Sequence, residues 1–310
     1  MNLRSRQVAG ALLLDSLFGE PPARLHPVVW MGRTISLAER RAFAWKSPRE
    51  RLIFGSVLAF SLPVFVFAVA GAAIRLTPKP LRWLPETVLL SSALSMRGLD
   101  HAATAVEREL ERGDLDAARA RVGEMVGRDT EALSGKEVAR AAVESVAENT
   151  SDGVVAPMLY GLLFGASGAL TYKAINTLDS MVGYREAPYT ELGRASARLD
   201  DLANLVPARL TVLAAAIASG RPAATFSSAR RYGPLTSSPN AGWAEAAFAG
   251  ALGLQLGGTN SYGGVAREGQ ILGDGRLPRP EDIRRAVSLM RRLCVLFAGV
   301  ILVSEAVRRG

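Results

Sequence analysis

The sequence predicts an all-α, polytopic integral membrane protein with four to six membrane segments and a helical cytoplasmic portion. Three observations carry that fold class. Uncharged apolar stretches alternate with densely charged ones along the 310 residues. The longest of them can cross a hydrocarbon core of about 30 Å at about 1.5 Å per residue. The net charge of +8 rests mostly on arginine, gathered in the flanks of those stretches, as a positive-inside bias requires. Residues 1–310 read as a single membrane-embedded domain, with 97–149 as a hydrophilic helical segment within it.

The elements follow in order. Residues 1–19 place Arg4 and Arg6 before the apolar run Val8–Leu14, like a short signal peptide. Asp15 follows at once without a small-residue cleavage site, so the segment reads as retained. Segment 33–51 holds Arg33, Arg40, Arg41, Lys46, Arg49 and Arg51, which places it on the cytoplasmic side. Residues 52–74 carry no charge and form the first clear span, with Pro63 inside it. Run 84–96 is short and ambiguous. In 97–149, an amphipathic helix over Ala102–Leu110 breaks at Gly113-Asp114 and a second runs over Leu115–Val126. Ser134 caps a third helix that runs towards Glu148.

Residues 153–172 form a Gly- and Ala-rich span suited to close helix packing. Stretch 202–220 forms another, interrupted by Pro207 and Arg209, and 289–307 a further one between Arg291-Arg292 and Arg308-Arg309. The glycines within 246–266 suggest a broken or re-entrant helix, and the Pro and Gly of 273–280 mark a loop. Cys294 is the only cysteine, which excludes an intrachain disulfide and a cysteine metal cluster. The basic residues are spread over several flanks and form no aromatic-basic module, so nucleic acid is not an expected partner. An anionic ligand such as a nucleotide is compatible with the charge.

Three polar constellations abut the apolar stretches. Glu144 and Glu148 lie four residues apart on one helix face, with Asn149 beside them and Asp152 one turn on. Three carboxylates there repel one another unless a cation neutralises them, and Mg²⁺ is the natural choice. Lys173, Asn176 and Ser180 share a second face, with Asp179 beside it and Arg185 beyond. Lys and Arg bind phosphate as point and bidentate ligands, and Asp179 can hold Mg²⁺ or orient Lys173. Arg194, Arg198, Asp201 and Asn204 read as one polar stripe, with Asp200 adjacent, running into the span at 202–220. Ionisable groups near membrane depth are costly and usually functional. The bland alternatives are solvated helix ends, a snorkelling Lys and a structural Arg–Asp pair. More weakly, Asn240 reads as a helix cap with Glu245 in the early turns, whose amides can bind phosphate. Gly257–Gly264 lacks the Lys-Ser/Thr ending of a phosphate loop.

At these residues the sequence resembles the adenosylcobinamide-phosphate synthase (CobD/CbiB) family of cobalamin biosynthesis. The likeness runs through Asp15, Gly19-Glu20-Pro21-Pro22, His26-Pro27 and Gly127-Arg128-Asp129-Thr130. It continues in ESVAENTSDGVVAP (144–157), YKAINTLDSMVGY (172–184), SARLDDLANLVPAR (196–209) and SPNAGWAEAAFAGALGLQLGG (238–258). The resemblance implies a multi-pass inner-membrane enzyme with a cytoplasmic active site. It implies ATP-dependent joining of adenosylcobyric acid, the corrinoid substrate, to aminopropanol phosphate. The expected partners are those two substrates, ATP and membrane lipid, with self-association or contact with other pathway enzymes left open.

On that reading Mg²⁺ is held by Glu148, Asp152 and Asp179, with Glu144 nearby. Lys173, Arg185 and Arg198 meet phosphate charge, and Asp200 or Asp201 receives the amine's proton. Asn149, Asn176 and Asn240 position phosphates or the amide, with Arg194 and Asn204 completing the binding set. Asp15, His26 and Asp129 enter as contributors on the resemblance. The rival reading is a transporter of a corrinoid or other anionic small molecule, since charges beside membrane spans also suit a substrate pathway.

Overall fold

The computed structural model describes residues 3–45, 47–184 and 186–307. Its helices in chain order are α1 (Leu3–Phe18), α2 (Pro27–Phe43), α3 (Pro48–Leu76), α4 (Trp83–Ser91), α5 (Met96–Arg112) and α6 (Leu115–Gly123). They continue with α7 (Gly135–Thr150), α8 (Ala156–Val182), α9 (Arg194–Ser219), α10 (Pro222–Tyr232), α11 (Ala241–Leu252) and α12 (Pro280–Val307). Four short strands, β1 (Leu256–Gly257), β2 (Asn260–Tyr262), β3 (Val265–Arg267) and β4 (Ile271–Leu272), pair antiparallel as β1 with β4 and β2 with β3. The all-α class holds. The contacts gather into two compact units. The first is Met1–Ser95, Ala156–Asn204 and Ile301–Gly310; the second is Met96–Val155 and Leu205–Val300.

Local chemistry sets the helix ends. Ser47 caps α3 by accepting from the Glu50 amide at 3.4 Å, and Pro48 opens the helix, where it costs no hydrogen bond. Ser134 and Glu137 form a reciprocal capping box at the start of α7. Between α7 and α8 the residues Ser151–Val155 form a π-helical turn that includes Asp152, a local widening often found at functional sites. Within α8, Gly165 takes a φ of 74°, which only glycine adopts cheaply. The Glu86 carboxylate fills the broken ladder there, accepting from the Ala166 amide at 2.9 Å.

Three helical stretches among the described residues are long and apolar enough to cross a membrane: Pro48–Leu76, Gly135–Val182 and Arg194–Ser219. Val57, Phe60, Val64 and Phe65 on α3 and Leu202, Val206 and Ile217 on α9 are all more than half exposed. So much outward apolar surface suits lipid, not water. These three are among the expected segments. Stretch 289–307 lies in α12, whose first half is docked on hydrophilic α5. There Arg284 meets Glu107 and Glu111, each at 3.1 Å, and Arg291 Nε donates to Asp100 at 2.8 Å. Stretch 246–266 is not a broken membrane helix. α11 stops at Gly253, and Gly257, Gly258, Gly263 and Gly264 all have positive φ, which a helix cannot use.

In the first unit the link from α8 to α9 is wedged tightly. A Cβ on Gly193 would lie 1.7 Å from the Val182 carbonyl oxygen, and one on Gly55 of α3 would lie 2.0 Å from that of Leu192. The Tyr189 hydroxyl ties the same link to α2 by donating to Glu39 at 2.5 Å, which pushes the phenol pKa up to about 12. Gly193→Ala should cost about 1–3 kcal/mol by overpacking and lower the thermal midpoint in detergent. Gly299→Ala, whose Cβ meets nothing within 4 Å, should not lower it.

Candidate functional site

The second unit builds its polar centre on α7. Buried Val138, Ala139, Ala142, Val143 and Val146 seat the helix, and α11 packs against it. Arg140 and Glu144, one turn apart, face the strands. The Glu144 carboxylate accepts from Arg128 Nη2 at 2.6 Å and from the Gly257 amide at 2.7 Å, with Arg140 Nε at 3.9 Å. Arg140 in turn donates to the carbonyls of Gly257 and Thr259 and to the Asn260 side chain. Arg128 donates to the same Asn260 oxygen. The three charged side chains are at most 10% exposed. One buried carboxylate thus fixes two guanidiniums and the start of the glycine-rich strands.

Those strands are held a second time at their tip. The turn Gly263-Gly264, both with positive φ, joins β2 to β3, a two-residue hairpin that glycine permits. Asp129 accepts from the Gly263 and Gly264 amides at 3.0 and 2.8 Å and from the Ser261 hydroxyl at 3.0 Å. The two amide hydrogen bonds hold its pKa below the usual carboxylate range.

Beside this anchored segment lies a cavity of about 530 Å³, lined among others by Ser237, Glu245, Asn260, Arg267, Glu268 and Gln270. Glu245 is the fifth residue of α11 and lines the cavity. Burial first, then the charges of Glu144 and Glu148, raise its pKa well above that of an ordinary carboxylate.

The first unit holds a separate polar chain on α8 and α9. The Tyr172 hydroxyl donates to Asn204 at 2.8 Å, and the Asn204 amide donates to Asp200 at 3.0 Å. Asn176 and the Lys173 ammonium act on the same carboxylate, and Lys173 donates to Asn176 at 3.2 Å. Tyr160 stacks on Tyr172 at 5.2 Å and donates to the Ala203 carbonyl at 3.0 Å.

The expected site residues therefore fall into two groups. Glu144 with Asp129, and Lys173, Asn176, Asp200 and Asn204, sit in the networks above. Glu148 is exposed, and Asp152, Asp179 and Asp201 are half-buried. Among the described residues no three His, Cys, Asp or Glu side chains are grouped to hold a metal ion. Asn149 turns back on α7, donating to the Ser145 carbonyl at 2.9 Å. Asp15 is buried. His26 caps α2, accepting from the Val28 amide at 3.2 Å, with Glu20 3.4 Å from its Nε2. Arg185 lies outside the described residues.

Two expectations are corrected. Asn240 stands at the start of α11, but its side chain does not cap the helix. It accepts from Arg209 at 2.6 Å, a charge-assisted bond, while the Ser238 hydroxyl takes the Asn240 and Ala241 amides. The stripe from Arg194 to Asn204 is also split. Asn204 is buried, whereas Arg194 and Arg198 are exposed and line a groove with Leu52, Ser56, Phe60 and Leu202. At 3.6 residues per turn, Arg198 and Asn204 lie about 120° apart round the helix.

Arg140 and Asn260 were not singled out from the sequence, and Glu245 was read only as a helix-start residue. The Arg140–Glu144 spacing of four and a lone carboxylate in the apolar stretch 244–252 were the available signals.

The family model described as CobD/Cbib protein matches residues 8–290. A cobalamin biosynthesis protein CobD of Geobacter metallireducens is 46% identical over 308 residues, covering 95% of each chain. One of Synechocystis sp. is 42% identical over 282 residues, 87% of this chain and 82% of that one. The cobalamin biosynthesis protein CbiB of Salmonella typhimurium is 40% identical over 290 residues, 90% of this chain and 91% of that one. No solved structure matches the chain.

Two substitutions probe the network. Glu144→Ala leaves Arg128 and Arg140 buried without their carboxylate and should cost about 3–5 kcal/mol, read as a lower unfolding midpoint. A carboxyl whose pKa is depressed on folding stabilises fully above its unfolded value, about 3.9 for Asp. The Asp129 contribution is therefore present at neutral pH and fades as pH falls through the lower folded value. Asp129→Asn should speed hydrogen exchange of the Gly263 and Gly264 amides at pH 7; unchanged exchange would remove Asp129 as the tip's anchor.

Proposed function

The chain belongs to the CobD/CbiB family of cobalamin biosynthesis, and from that premise we propose that it joins adenosylcobyric acid to aminopropanol phosphate, with ATP driving amide formation. The observation that carries the reading to a place in the molecule is the Glu245 carboxyl facing a polar cavity beside the anchored glycine-rich strands. An amine arrives as an ammonium and attacks only after losing a proton. A carboxylate of raised proton affinity is matched to accept it. Ser237, Asn260 and Gln270 line the same cavity and offer the neutral hydrogen-bonding groups that orient an amino-alcohol.

A free carboxylate is a poor acyl donor, so the acid must be activated before the amine attacks. Mg²⁺ bound with ATP would neutralise phosphate charge during that activation. Such an ion is held by one or two carboxylates plus the phosphates, so the donor set here fits it without a three-carboxylate cage. Asp152, half-buried in the π-helical turn, is the proposed protein ligand. The proposed location is a bacterial-type inner membrane with the active face towards the cytoplasm, where ATP is available.

Purified protein in detergent, given adenosylcobyric acid, aminopropanol phosphate and Mg-ATP, should yield the condensed amide by mass spectrometry, with no product when ATP is omitted. ATP-dependent corrinoid uptake into sealed vesicles without any amide would instead favour a transporter. Glu245→Gln should lower kcat by about 10²–10⁴ and abolish the acidic limb of the pH–rate profile. Because the Glu245 pKa is raised, that limb should lie above the ordinary carboxylate range in the unaltered enzyme. Near-normal turnover in Glu245→Gln would remove it from the proton path.

A further inference from the structure

Arg194 and Arg198, set apart from the polar chain of Asp200 and Asn204, line a groove of about 370 Å³ between the first turns of α3 and α9. Both helices belong to stretches able to span a membrane. The groove's other walls are almost wholly apolar: Leu52, Phe60, Ala195, Leu199 and Leu202, with Ser56. Phe60 is 61% exposed and Leu202 66% exposed, so the apolar wall opens outward to where acyl chains lie. Arg194 shares its charge with Glu191 at 3.2 Å. Arg198 is exposed and makes no ion pair among the described residues.

The level of the groove is set by the sequence around it. Arg49 and Arg51 stand at the start of α3, and Arg33, Arg40 and Arg41 precede it on α2. Such a basic collar belongs at the headgroup layer of the cytoplasmic leaflet. Positive charge at one end of an apolar groove complements a single amphiphile: a negatively charged headgroup joined to hydrocarbon. A free phosphate would gain nothing from Phe60 and Leu202, and a zwitterionic lipid would bring its own cation to the arginines.

We propose that this groove binds one anionic phospholipid, its phosphate between Arg194 and Arg198 and an acyl chain along Phe60 and Leu202. Basic pockets between membrane helices recognise lipid headgroups in this manner. The bound lipid would also brace the first turns of α3 and α9 against each other. The proposal does not depend on the catalytic reading, because none of these residues touches the Glu245 cavity.

Native mass spectrometry of the full chain, reconstituted with equimolar phosphatidylglycerol and phosphatidylcholine and then moved to detergent, tests this directly. One phosphatidylglycerol should stay bound in preference to phosphatidylcholine. Replacing both arginines by Ala should weaken retention roughly 30-fold, each near-surface arginine contributing about fivefold. Leu202→Trp, which keeps both charges but fills the groove, should also release the lipid. That variant separates occupancy of the groove from loose attraction to the basic collar. Equal retention of the two lipids, undiminished retention in the double variant or in Leu202→Trp, or complete displacement by millimolar inorganic phosphate would each overturn the proposal. The last result would mark a soluble phosphate site.

Discussion

Glu144 is a carboxylate taken almost out of water, and most of the second unit's polar architecture follows from meeting that cost. An isolated buried charge is prohibitive. Here it is met by the Arg128 guanidinium, by Arg140 one turn away and by the Gly257 amide. The two arginines then carry excess positive charge, which they spend on the carbonyls of Gly257 and Thr259 and on Asn260. A residue on a helix thereby dictates where a strand segment more than a hundred positions later must lie. The segment has little apolar grip of its own: all three residues of β3 are exposed. Without that polar anchoring and the Asp129 clasp, it would have scant reason to keep one conformation. The cavity beside it, lined by Glu245, inherits its shape from the same network.

The first unit answers a different constraint. Its long helices expose Phe, Val and Leu side chains that only lipid can cover, so polar groups must be satisfied inside. Tyr172, Asn204, Asp200, Asn176 and Lys173 do this by passing hydrogen bonds from one side chain to the next. The arginines on the outward face have no such internal chain to join. A face that carries both Leu202 and Arg198 belongs at a boundary, with hydrocarbon on one side and charged headgroups on the other.

Local signals were legible in the sequence. The uncharged run at 52–74 became α3, Gly113-Asp114 broke a helix where the pattern said it would, and Ser134 capped α7. The family was legible from long ordered motifs, and the comparisons bear it out. What failed was non-local or angular. Glu144 read as one of a row of carboxylates awaiting a cation, because its partners Arg128 and Gly257 lie 16 and 113 positions away. The glycines after 253 read as a broken helix, because the short strand pairings depend on side chains from α7. The stripe at 194–204 read as one face because spacings of four, three and three drift round the helix, and Asn204 ends up buried while Arg198 stays out. The arginines at the start of α12 found partners on α5, Glu107 and Asp100, that no local pattern announces.

The central claim is that the amine reacts in the cavity beside the anchored glycine-rich strands. Hydrogen exchange of residues 257–272, followed with and without aminopropanol phosphate, tests it most directly. Slower exchange confined to this segment and the start of α11, and lost in Glu245→Gln, is the result the account predicts. Unchanged exchange there, under conditions in which the same preparation forms amide, would contradict it.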